Sequence, residues 1–276
     1  MATNDITNIA GALVFWNFGA GTELYKLRNA LQDNGFYHYS PERMTDAAAL
    51  KAALAKEFPG DKIFTVDVDG LSVFEIVKIV PADRERNAYE HILTASVNSR
   101  QEIDYDLPDF NRDQRIEEQF RGYTTLVPTS QLTAVMVEIV ASLGGLSMRP
   151  AGGVYWIPEI NWQRWKALAD SIETTGPKNR LDACRVVLDQ NCIKSVQEAL
   201  TNEIDREAKL IQETMNDQDK GKRATNSARK RAEALRDKVS EYERAFSIPL
   251  AELTKRLDEA TTTEATASLV ECSLFD

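Results

Sequence analysis

Asp67 and Asp69, with Glu75 and Lys78 close behind them, are the residue types that hold Mg²⁺ on acidic strand pairs in some nucleases. The spacing works against that chemistry. Glu75 and Lys78 are three apart, so on a strand they face opposite sides, whereas a cooperating carboxylate and lysine share one face. Asp69-Gly70 is also a strong turn signal, which accounts for the aspartate without a metal. A metal-dependent enzyme at the Asp67/Asp69 turn is therefore the last of three readings. Gly19-Ala20-Gly21-Thr22 sits between a strand and a helix, where amides can cradle phosphate. It lacks both the third glycine of a dinucleotide site and the Lys-Ser or Lys-Thr of a phosphate loop, so a tight turn is expected. His91 alternates with Tyr89 and Leu93 and reads as a partly buried strand residue rather than a general base. With only His38 and His91 in the chain, a histidine-rich metal site is excluded. Cys184, Cys192 and Cys272 have neither the even count of a disulfide framework nor paired CxxC spacing, and no serine or cysteine has a nucleophile motif. No catalytic residue, metal ligand or cofactor is assigned, and a non-enzymatic role is expected.

Charge offers a better candidate. Lys220, Lys222, Arg223, Arg229, Lys230 and Arg231 fall within a short stretch that holds no acid. They form the expected partner-binding surface, for an acidic protein patch or, as the alternative function, for nucleic acid. The formal charge of −10 is concentrated in residues 1–193, whereas 194–260 are balanced. A net acidic body argues against broad phosphate binding, so a protein partner or a second copy is favoured over nucleic acid.

These cations need helices to carry them. Leu235, Val239, Tyr242, Phe246, Leu253 and Leu257 recur at steps of mostly three and four, the spacing of a helical seam, and Val196, Leu200, Ile204, Ile211 and Met215 mark a second helix upstream. The polar, basic stretch between them can turn the chain, with Asn226 or Ser227 capping the second helix. The expectation is an antiparallel coiled-coil hairpin over 191–260, with its cations at the tip and a loose tail over 261–276. Pro249 predicts a kink or restart, and the seam beyond it then needs cover from the body or from another subunit.

Residues 1–190 read as an α+β body, an antiparallel sheet with packed helices. Gly11 to Phe18 is a buried strand, Thr22 caps a helix through Leu24, Leu27 and Leu31, and Thr45 caps another through Leu50 and Leu54. Lys62 to Val68 and Leu71 to Val80 alternate on either side of Asp69-Gly70, and Tyr89 to Val97 and Ile103 to Leu107 extend the meander. Asn111 and Gln114 resemble a capping box, and Ser130 opens an apolar helix to Leu143. Two extended pieces flank Pro150-Ala151-Gly152-Gly153 as a hairpin, Trp162 to Ile172 is a packing helix, and Arg185 to Leu188 is a short strand. A subdivision near 110 would leave 111–176 as a winged-helix-like part. Its helix carries no Lys or Arg, which argues against DNA reading.

Val14-Phe15-Trp16, the phrase Met148-Arg149-Pro150-Ala151-Gly152-Gly153-Val154-Tyr155-Trp156-Ile157-Pro158 and the Glu-rich helical region after it resemble a family of uncharacterised proteins in bacterial, archaeal, phage and plasmid genomes. The resemblance implies a phage or mobile-element setting and no particular chemistry. The 43% hydrophobic and 28% charged content argues against wholesale disorder. No apolar run approaches the ~20 residues that cross a bilayer, and Met1 to Ala10 lack a signal pattern. The expectation is a cytoplasmic protein-interaction or assembly factor, in the host cytoplasm if phage-encoded.

Overall fold

The computed structural model describes residues 9–83, 86–150, 152–217 and 220–262; Cys272 and nearly all of the tail expected to be loose lie outside them. Short β-branched runs and leucine-spaced runs alternate along the chain. They form β1 (Ile9–Asn17), β2 (Thr22–Glu23), α1 (Leu24–Asp33), α2 (Asp46–Glu57), β3 (Lys62–Val68), β4 (Leu71–Asp83), β5 (Arg86–Val97) and β6 (Ile103–Tyr105). There follow α3 (Phe110–Thr125), β7 (Leu126–Val127), α4 (Thr129–Ser142), β8 (Leu146–Ser147), β9 (Tyr155–Pro158) and α5 (Trp162–Glu173). The chain then forms β10 (Arg180–Val187), α6 (Gln190–Asn216), α7 (Lys222–Phe246) and α8 (Ala251–Thr261). The class is α+β, as the patterning predicts. The chain divides into two compact units: one comprises residues 1–16, 137–167 and 181–276, the other residues 17–136 and 168–180.

In the first unit β10, β1, β9 and β8 lie side by side in one sheet. β9 is an inner strand, antiparallel to β8 and also to β1, with Gly11 opposite Pro158 and Val14 opposite Tyr155. Glycine is required at position 11, where a Cβ would stand 2.3 Å from the Ile157 carbonyl oxygen. The expected hairpin around Gly152-Gly153 is therefore present, but not as a free wing. Residues 111–176 are shared between the two units rather than forming a winged-helix part.

Leu146 and Trp156 from this sheet lie in the same buried cluster as the seams of α6, α7 and α8. The chain consequently does not divide near 190. Two polar contacts fasten the helices to the turn before β8: the Tyr242 hydroxyl donates to Gly144 O at 2.7 Å, and Lys238 Nζ donates to Gly145 O at 2.8 Å. The seam beyond Pro249 is covered within the chain. Ser247 adopts a left-handed conformation (φ 53°) that ends α7, and α8 starts afresh on α6 and α7. Arg256 pairs there with Asp205, and Arg236 Nε donates to Asp258 at 2.8 Å.

In the second unit β3, β4, β5 and β6 form the expected antiparallel meander. One face, carrying Phe74, Ile76, Leu93 and Ala95, is buried against Leu50 and Leu54 of α2 and Ile116 and Phe120 of α3. Thr45 caps α2 as predicted, accepting from the Ala48 N–H at 3.3 Å. Two other caps differ from expectation. Thr22 lies in β2 and accepts from Asn179 Nδ2 at 3.0 Å, so α1 starts one residue later, after Glu23. α3 is capped by Asp109, which accepts from the Arg112 N–H at 2.9 Å, while Asp113 accepts in return from the Asp109 N–H at 2.8 Å.

Candidate interaction surface

The acidic turn is a structural device. Asp69 (φ 55°) and Gly70 (φ 80°) are both left-handed, the conformation of a two-residue hairpin turn, and Asp67 Oδ1 accepts from the Gly70 N–H at 3.0 Å. Gly19-Ala20-Gly21-Thr22 is likewise a packed turn, since a Cβ on Gly19 would lie 2.4 Å from Lys178 Cβ. Strict alternation misses one polar cluster. A register shift between Ile76 and Val77 sets Val77 opposite His91, on the same face as Glu75. Glu75 Oε1 then lies 3.5 Å from His91 Nδ1, and Asp106 Oδ2 lies 2.8 Å from His91 Nε2. Desolvation pushes the Asp106 carboxyl up, but hydrogen bonds from the Thr94 N–H (2.6 Å) and from His91 outweigh it and hold the carboxyl below the ordinary range. Among the described residues no group of three or more His, Cys, Asp and Glu is arranged to hold a metal ion.

The helix that carries the cations begins further upstream than the expected caps imply. α7 starts at Lys222 behind Gly221, which offers no side-chain cap, and neither Asn226 nor Ser227 caps it. Lys220 lies 3.6 Å from Asp217, and Arg231 Nε lies 2.7 Å from Glu207 Oε2. Lys222, Arg223, Arg229 and Lys230 are exposed and have no ion pair among the described residues. At helical spacing these four fall on one side of α7, opposite the buried Ala228 and Leu235. Two of them crowd the positive end of the helix, a position that disfavours cations.

The seam residues are buried: Val196, Leu200, Ile204, Ile211 and Met215 of α6, Leu235, Val239, Tyr242 and Phe246 of α7, and Leu253 and Leu257 of α8 belong to one cluster. That cluster leaves no apolar stripe on these helices for a partner. The exposed apolar surface lies on the sheet. Phe64 (47% exposed), Val66, Val68 and Leu71 line the outer face of β3 and the start of β4, and Ile79 and Tyr89 (62% exposed) continue it. Phe64 and Tyr89 meet edge to face at 6.4 Å, above the buried Val77. β3 is also the edge of its sheet. It has neither a proline nor a bulge, and its one lysine, Lys62, stands at its start. β10, one of the two edges of the first unit's sheet, is better protected: Arg185 reaches out of it to Glu159 and lies over the Trp162 ring at 4.7 Å. The alternation that placed β3 made this surface readable, but which face α2 and α3 would cover was not.

The fold and this surface describe a two-unit α+β protein with an apolar sheet edge that no other strand among the described residues covers. The profile of the family of unknown function DUF6744 matches residues 10–269, and the chain belongs to that family. Residues 148–158, which carry the resemblance to an uncharacterised family, lie inside the matched span. No curated protein and no solved structure matches the chain. No helix among the described residues is long and apolar enough to cross a membrane.

Proposed function

We propose that this protein is a non-enzymatic interaction or assembly factor, and that its partner-contacting surface is the outer face and free edge of the β3–β6 meander. The observation that carries this reading is the run Phe64, Val66, Val68 and Leu71, exposed beside a strand edge that is unpaired among the described residues. Soluble proteins shield such edges unless a partner uses them. α6 and α7, read as a coiled-coil hairpin, serve in this account as a support. Their seam is spent internally, and their outward side presents charge. The phage or plasmid setting and a cytoplasmic location accord with this role.

A photo-crosslinking residue at position 66, with one at exposed Ala234 as the control, tests the reading in host extract. Crosslinked species formed from position 66 and not from 234 are expected. Equal labelling from both positions, or none from 66, overturns the proposal. Nucleic-acid binding is the second reading, favoured by Lys222, Arg223, Arg229 and Lys230, four cations with no ion pair among the described residues. It requires a salt-dependent shift of generic DNA or RNA that is lost when all four become Glu. Salt-insensitive failure to bind rejects it.

A further inference from the structure

We infer that the occupant of the β3 edge is a second copy of this chain, paired antiparallel through β3 about a two-fold axis at Thr65. This inference rests on the interaction role proposed above and names its partner. The hairpin turn decides which groups are available. In a two-residue turn the closing pair, here Val68 and Leu71, is hydrogen-bonded, so Val66, Phe64 and Lys62 also direct their N–H and C=O groups towards β4. Ile63, Thr65 and Asp67 therefore present theirs to the open edge.

Antiparallel self-pairing centred on Thr65 sets Thr65 opposite its own copy and Ile63 opposite the other copy's Asp67. All the outward backbone groups of the three residues are satisfied at once. The same register keeps the two apolar faces on one side, with Phe64 opposite the second copy's Val66, so the two stripes merge.

Charge selects the direction. β3 begins at Lys62 and ends in a turn that carries Asp67 and Asp69. Antiparallel pairing sets Lys62 opposite the other copy's Val68, next to Asp69 of the acidic turn, while Asp67 stays on the other face with the Gly70 N–H; parallel pairing would set lysine beside lysine and aspartate beside aspartate. The exposed apolar residues of the stripe amount to roughly 500 Å² per copy, the upper range for one patch on a monomer. Edge pairing sets the two stripes side by side and buries only part of that area, less than a standard interface, so the dimer is weak and concentration-dependent rather than obligate.

Sedimentation equilibrium of the full chain across the micromolar range is the test, with two variants. Thr65→Pro removes an N–H that, in one copy, points to solvent. Val66→Lys places a charge at an exposed position opposite Phe64 of the second copy. Wild type should dimerise reversibly, and each variant should weaken dimerisation about ten-fold or more while keeping the wild-type circular dichroism spectrum. A wild type that is monomeric at every concentration overturns the inference, as does a dimer indifferent to Val66→Lys. The crosslink from position 66 separates this failure from failure of the interaction role. A product of twice the chain mass supports both, and a product of another mass keeps the interaction role but overturns self-pairing. An intramolecular link to residues 263–276 alone overturns both.

Discussion

Replacing Lys238 by methionine should destabilise the first unit by about 2–3 kcal/mol. The ammonium donates to both oxygens of Glu203, at 2.8 and 2.9 Å, and to Gly145 O at 2.8 Å, so it joins α7 to α6 and to the turn before β8. Its side chain is 11% exposed and that of Glu203 20%. Removing one partner of a fully buried pair costs about 3–5 kcal/mol, and the residual access of water to Glu203 lowers that figure here. Methionine keeps most of the aliphatic packing, so the loss is mainly of the polar links. All four tryptophans, Trp16, Trp156, Trp162 and Trp165, lie in the first unit, so urea unfolding followed by tryptophan fluorescence reports on that unit. Combining Lys238→Met with Glu203→Gln should recover about 1 kcal/mol or more of coupling. A single variant within 0.5 kcal/mol of wild type, with no coupling in the cycle, would refute the placement of the ammonium between the two helices and the turn.

Three further outcomes follow from local geometry. Gly11→Ala should cost several kcal/mol in the same urea assay, because the new Cβ meets the backbone oxygen of Ile157; a neutral result would contradict the β1–β9 register. Ser247→Gly should raise stability by about 0.5–1 kcal/mol, since glycine adopts the left-handed conformation without strain, and a lower melting temperature would count against this chain reversal. The folded-state lowering of the Asp106 pKa supplies stability above the unfolded value of about 3.9 that is lost as pH falls through the folded value. The Asp106 side chain is 40% exposed, so Asp106→Asn should cost no more than about 1 kcal/mol at neutral pH and nothing at strongly acid pH. A cost that does not vary with pH would be the contrary result.

Features determined by neighbours in the chain were legible in the amino-acid pattern. The Asp69-Gly70 turn, the Thr45 cap and the seams of α6 and α7 all come from short-range spacing. Features determined by distant partners were not. Thr22 is drawn into β2 by pairing opposite Val127 of β7, with its hydroxyl bonded to Asn179, and β9 becomes an inner strand because β1 arrives from the other end of the chain. The division into two units is hidden for the same reason, since each unit is assembled from separated stretches. The cover on the seam beyond Pro249 turned on a single residue: serine at position 247 carries no strong signal for a left-handed turn, yet that turn returns α8 to α6. The candidate surface was half legible. Alternation identified β3 as a strand, but its open edge and uncovered face depend on where α2 and α3 pack.

Hydrogen–deuterium exchange of the full chain at low and high protein concentration tests the central claim most directly, because β3 is an edge strand whose outward amides pair with no strand among the described residues. The account predicts that peptides covering residues 62–68 gain protection at the higher concentration while those covering α6 and α7 do not change. Unchanged exchange in β3, together with new protection along α7, would contradict it and move the interaction surface to the helices.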